Sequence, residues 1–215
     1  MHYFLLLEGS RFHEHLQPAL AASWRKRSFE PCGVLCAELT PAARRFAETY
    51  HVSLDGSSLL YVAAGLPFDR NVWRCIAGEL LLYGAAELPE IQTAPVALAR
   101  LLAPDASVTS VVTREDSAPI QQAHFGSRDI RFGERFYRPD HAGLNDESDV
   151  LRLADYLASV NPGAWTTADL AGLAELADED DRAAELEFVR DCFLALRQLY
   201  ERARDRNQVV VCETQ

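Results

Sequence analysis

The sequence predicts a helix-rich α+β domain with a small mixed or antiparallel sheet. Three observations lead there. The stretch from Asp178 to Cys212 is a long amphipathic helix followed by a short strand, with Leu186, Val189, Phe193, Leu196, Tyr200 and Ala203 recurring at helical spacing. Acids at Asp178–Asp181 and arginines at Arg202, Arg204 and Arg206 complement the two ends of that helix. Strand patterns, by contrast, are few and short.

The remaining elements follow in order. Met1–Glu8 is an apolar run without a basic leader, read as a first strand and not a signal peptide. Arg11–Arg27 is helical, with Phe12, Leu16, Leu20 and Trp24 on one face and Pro18 kinking or restarting it. Ser28–Leu39 has no assigned element. Thr40-Pro41 supplies an N-cap and first-turn proline for a helix through Tyr50. Asp55-Gly56 marks a turn before a strand at Ser58–Ala64. Asp69 caps a helix with Trp73, Ile76 and Leu80 inward and Gly84 at its end, and Ala94–Ala103 forms another. Ser107–Thr113 is strand-like by its β-branched content. Two short strands, Asp129–Phe132 and Arg135–Arg138, turn at Gly133-Glu134. Ser148 or Asp149 opens a helix stopped by Asn161-Pro162-Gly163, and Thr166 with Asp169 opens another. No repeat or linker divides the 215 residues, so a single domain is expected over 1–215.

Composition narrows the function classes. The formal charge is −11, and residues 108–215 carry most of it. An acidic body repels phosphate backbones and anionic bilayers, so neither nucleic acid nor membrane is an expected partner. No apolar run approaches the roughly 18 to 20 residues that span a bilayer. Five scattered cysteines, Cys32, Cys36, Cys75, Cys192 and Cys212, fit buried thiols in a reducing cytoplasm.

Chemistry-bearing patterns are sparse. His13, His15, Cys32 and Cys36 offer soft ligands, but two histidines two residues apart on a helix diverge, so no metal is assigned. Phosphate loops, dinucleotide fingerprints and nucleophile elbows are absent; no cofactor and no catalytic residue is assigned. The positive stretch from His124 to Arg138 is the candidate binding segment, with Arg128, Arg131, Arg135, Tyr137 and Arg138 as contacts and His124 and His141 beside them. Arginine and tyrosine suit both anion capture and interface hot spots, and the same arginines also suit pairing with the acidic C-terminal helices.

Over about residues 135–212 the chain resembles the YfbM-like family of uncharacterised bacterial α+β proteins. The resemblance rests on Asp191, Phe193, Leu196, Tyr200 and Ala203 followed by Val209-Val210-Val211. Tyr137-Arg138-Pro139 before a helix, and Asp69, Trp73 and Gly84, are similar to further family features. It implies the fold class and no activity, since that family has no established catalytic set.

The expected role is therefore a non-catalytic protein-binding module, an immunity or antitoxin-like inhibitor whose acidity steers a basic effector protein. The alternative is an enzyme or binding protein for an anionic small molecule using the arginine-rich segment 128–138. A homodimer through an apolar helix face is a third reading.

Overall fold

A computed structural model describes residues 2–51, 59, 62, 65, 67–104, 116–138, 142–171, 173 and 178–214. The protein is a helix-rich α+β structure with a small antiparallel sheet. Its residues cluster into two compact units, the first comprising 1–4, 89–129 and 138–215 and the second 5–88 and 130–137.

The first unit holds a four-stranded sheet in the order β1-β6-β5-β2, made of β1 (His2–Glu8, whose residues from Leu5 on belong to the second unit), β2 (Arg128–Asp129), β5 (Ala142–Asn145) and β6 (Gln208–Thr214). Both β2–β5 and β5–β6 are antiparallel, with Leu144 opposite Arg128 on one side and Val211 on the other. The final helix, numbered α7 here (Glu179–Asp205), buries Leu186, Val189, Phe193, Leu196 and Tyr200, the stripe its periodicity predicts. Asp178 caps it by accepting the Asp181 N–H at 2.8 Å. Asn207, at φ 51°, turns the chain into β6. Helices α4 (Pro95–Leu102) and α6 (Glu147–Ser159) also lie in this unit. The cap of α6 is Asp146 and not Ser148 or Asp149: its Oδ1 accepts the N–H groups of both, at 3.1 and 3.0 Å. Thr166 and Asp169 bond as expected, the Thr166 N–H and hydroxyl donating to Asp169 Oδ2 at 2.7 and 2.9 Å, but they open only a 3₁₀ turn, Thr167–Leu170.

Two elements here escape the sequence reading. Helix α5 (Pro119–Phe125) forms with Pro119 at its first position, and β5 lies where a loop was expected. The strand read as Asp129–Phe132 is broken at Ile130: β2 ends at Asp129, and β3 (Arg131–Phe132) pairs with β4 (Arg135–Phe136) as a separate hairpin. Gly133 supplies the positive φ, 67°, that its two-residue turn requires.

That hairpin belongs to the second unit, with helices α1 (Gln17–Lys26), α2 (Gly33–Tyr50) and α3 (Arg70–Gly84). A wide π-helical turn, Arg11–Leu16, precedes α1, and Pro18 in the first turn of α1 marks a restart. Helix α2 corrects a second reading. It starts at Gly33, after a 3₁₀ turn at Glu30–Cys32, so Thr40 is no N-cap and Pro41 lies inside the helix. The Thr40 hydroxyl instead donates to the Cys36 carbonyl at 2.7 Å. An interior proline costs about 3 kcal/mol; burial of Leu35, Cys36, Leu39, Ala43 and Ala47 along one face offsets it. Helix α3 is capped as expected, Asp69 Oδ1 accepting from Asn71 and Val72 at 2.8 and 3.0 Å. The indole N–H of buried Trp73 donates to the Leu20 carbonyl at 3.2 Å, and its ring meets Phe132 edge-on.

The turn at Asp55-Gly56 and the strand at Ser107–Thr113 lie outside the described residues. So does the strand at Ser58–Ala64, apart from Leu59 and Val62, which are helical.

Candidate functional site

The arginine-rich segment is shared out by its own backbone. His124 and Arg128 lie in the first unit, Arg131, Arg135 and Tyr137 in the second, and Arg138 in the first again; His141 is outside the described residues.

In the first unit the polar side chains build a closed hydrogen-bond network. Asn145, fully buried at the end of β5, is its hub. Its Oδ1 accepts from the Ser127 backbone at 2.8 Å and the Ser127 hydroxyl at 2.6 Å. Its Nδ2 donates to the Gln122 carbonyl at 3.0 Å and the Tyr200 hydroxyl at 2.7 Å. The Tyr200 hydroxyl donates in turn to the Ala123 carbonyl at 2.7 Å, and burial holds its phenol well above the usual tyrosine range. Every donor and acceptor of the Asn145 amide is used, as a buried polar group requires. Arg152 reaches in from the surface to Gln122 Oε1, the Ser127 hydroxyl and Asp149 Oδ1, at 2.7, 3.1 and 3.2 Å.

Arg128 is taken up in the same way. Its guanidinium meets Asp149 Oδ2 through Nε and NH2, at 2.9 and 2.8 Å, and Asp146 Oδ2 through NH1 at 3.0 Å. Burial would raise the Asp146 carboxyl, but the Ser148 hydroxyl, the Asp149 N–H and Arg128 outweigh it and hold the group below its usual range. Two arginines facing two carboxylates leave little field for an anion.

The Ser127 hydroxyl donates to the Asn145 amide oxygen, a neutral acceptor and not a general base. His124 is buried in α5 with Nδ1 2.8 Å from the Ile120 carbonyl. Arg138 is half-buried, and its carbonyl accepts the Ala142 N–H at 3.1 Å.

The second unit uses its arginines differently. Arg131 lies over Phe136, with Cζ 4.2 Å from the ring centroid, and Arg135 lies over Trp24 at 4.6 Å. Arg27 and Arg70 join Arg135 on the same indole, at 4.6 and 5.9 Å. Tyr137 is interior, packed beside Phe132 with its hydroxyl against Gly78, where an added Cβ would sit 2.5 Å away. Sequence reading missed Trp24, Arg27 and Arg70. The signal for Trp24 and Arg27 was the run Trp24-Arg25-Lys26-Arg27, an aromatic followed by three cations at a helix end; Arg70 has no such local mark.

A third exposed feature lies on α7. Asp181, Ala184, Phe188 and Asp191 are exposed and recur at three- and four-residue spacing along one flank of the buried stripe. Phe188 is 38% exposed there, with Glu187 beside it.

His13 and His15 are exposed, whereas Cys32 and Cys36 are buried. Burial raises both thiols, to about 11 and about 12, which disfavours the thiolate a metal needs. Among the described residues no three His, Cys, Asp or Glu side chains converge as a metal site. Cys75 is exposed, unlike the buried thiols expected.

No family model, curated protein or solved structure matches the chain. Among the described residues no helix is long and apolar enough to cross a membrane.

Proposed function

We propose that the protein is a non-catalytic protein-binding module, of the immunity or antitoxin kind, that receives a basic effector on the exposed face of α7. The observation that carries this reading is Phe188, an exposed aromatic with Asp181 and Asp191 along the same helix face. An aromatic anchor within a ring of charge is the composition of an interface hot spot.

Charge distribution supports the same reading. The second unit holds ten basic and ten acidic residues, whereas the first holds 11 basic and 22 acidic, so the whole net charge of −11 belongs to the unit containing α7. Such a field steers a cationic partner and speeds encounter at low salt. Asp178 is committed to capping and Glu179 accepts from the Thr167 hydroxyl at 3.1 Å, which leaves the later acids for recognition.

The test is capture of a partner from the source cell at low salt, followed by association kinetics. Asp181→Lys with Asp191→Lys should slow association about tenfold or more at low salt and leave dissociation little changed. Phe188→Ala should speed dissociation while leaving the thermal melt in place. An association rate indifferent to both charge reversals at low salt would exclude this face.

A further inference from the structure

The indole of Trp24 gathers three guanidinium groups from three separate elements. Arg27 comes from the residue after α1, Arg70 from the first position of α3 and Arg135 from β4, so all three Cζ atoms lie within 5.9 Å of one ring centroid. All three are exposed, and none is ion-paired among the described residues. Of the acids next to them in sequence, Asp69 accepts the Asn71 and Val72 N–H groups through Oδ1, and neither it nor Glu134 forms an ion pair among the described residues. In a chain with 32 acids and 21 bases, three unpaired arginines on one ring are a marked local imbalance.

The ring faces offset part of the mutual repulsion. Arg27 also lies over Phe68, at 5.6 Å, and Phe68 packs at a tilt against buried Phe29, with ring centroids 5.2 Å apart, so the platform beneath the charges is held by packing. Arg27 adopts a left-handed backbone, φ 53°, a conformation disfavoured for a side chain of its size. The three guanidinium groups remain exposed, with no carboxylate paired to them among the described residues.

We propose that Arg27, Arg70 and Arg135 on Trp24 form a docking site for a phosphate monoester carried on a peptide segment of a partner protein. A phosphomonoester brings nearly two negative charges and three acceptor oxygens to one point, which suits guanidinium forks gathered around a single ring. A nucleic-acid strand brings single charges in a long row, and an acidic protein repels such a row. A free metabolite is usually enclosed in a pocket, whereas these arginines are exposed on the surface. The exposed pair of Arg131 over Phe136 in the same hairpin offers adjoining apolar area for a peptide. The site uses no residue of the α7 face.

Three tryptophans give three indole N–H signals in a nitrogen-15 NMR spectrum, and Trp24→Phe assigns the relevant one. Titration with a phosphoserine peptide of otherwise neutral sequence should shift the Trp24 signal saturably. The unphosphorylated twin should leave it in place, and inorganic phosphate should bind more weakly. Arg135→Ala and Arg70→Ala should each lower affinity about tenfold. Arg135→Lys keeps the charge without the fork and should recover only part of the loss. Affinity should fall as the pH drops through about 6, where the phosphate takes up a proton. The proposal is overturned if the twin shifts the signal equally, if sodium chloride at matched ionic strength reproduces the shift, or if inorganic phosphate binds as tightly as the peptide. An unchanged thermal melt for Arg135→Ala separates loss of binding from loss of fold, and Arg70→Ala serves if that variant unfolds.

Discussion

Gly126 follows α5 at φ 84°, in the region only glycine occupies freely. A Cβ there would lie 2.5 Å from the carbonyl carbon of Gly143 and the nitrogen of Leu144, backbone atoms of β5 with little freedom to retreat. Gly126→Ala therefore meets both a disfavoured dihedral and a backbone clash, and should cost about 3 kcal/mol or more, read from the urea midpoint. The next residue, Ser127, bonds Asn145, so the same strain would reach the buried network through a single peptide. Residue types alone did not reveal this. Gly126 stood out only as part of a positive stretch, and Asn145 did not stand out at all, because a polar residue becomes a hub only when a distant Tyr200 meets it. Trp24 is similar: its partners at 27, 70 and 135 are brought together by the fold, and only the first of them lies near it in sequence.

Elements were legible in proportion to their length. Helix α7 carries enough turns for its periodicity and end charges to agree, whereas α5 has seven residues and β2 only two, too few to show a period. Helix α2 was misread at its start because Thr-Pro is a strong local sign of a helix N-terminus, and burial of the preceding turn overrides it. Capping was the more transferable signal. Asp69 was recognised from sequence and makes both of its bonds, and the Val72 and Asn71 N–H groups hold its carboxyl below the usual range. A lowered folded value means that the stabilisation is complete above the unfolded value of about 3.9 and is lost as pH falls through the folded one. Asp69→Asn keeps the accepting oxygen but has no titration. Its unfolding midpoint should fall less steeply than that of the wild type between about pH 4 and pH 2. Parallel curves would show that the cap contributes nothing to acid sensitivity.

For the whole molecule, the fold class and the acidic bias toward residues 108–215 were legible in the sequence, but the division into two compact units was not. The division is visible only once the chain is seen to leave the first unit after Phe4, return at Pro89, leave again after Asp129 and return at Arg138. This threading has a bearing on biosynthesis. In the sheet order β1-β6-β5-β2, the strand synthesised after all the others lies between the first and the fifth. Until Gln208–Thr214 has cleared the ribosome, β1 lacks β6 and keeps only the antiparallel bridge from Leu6 to Glu87, and β5 has only the two residues of β2 beside it. Pairing across such a sequence separation is slow, and the waiting edges are exposed to association. Nascent chains stalled before Gln208 should therefore remain protease-sensitive around β5, and extending them past Thr214 should give protection in one step.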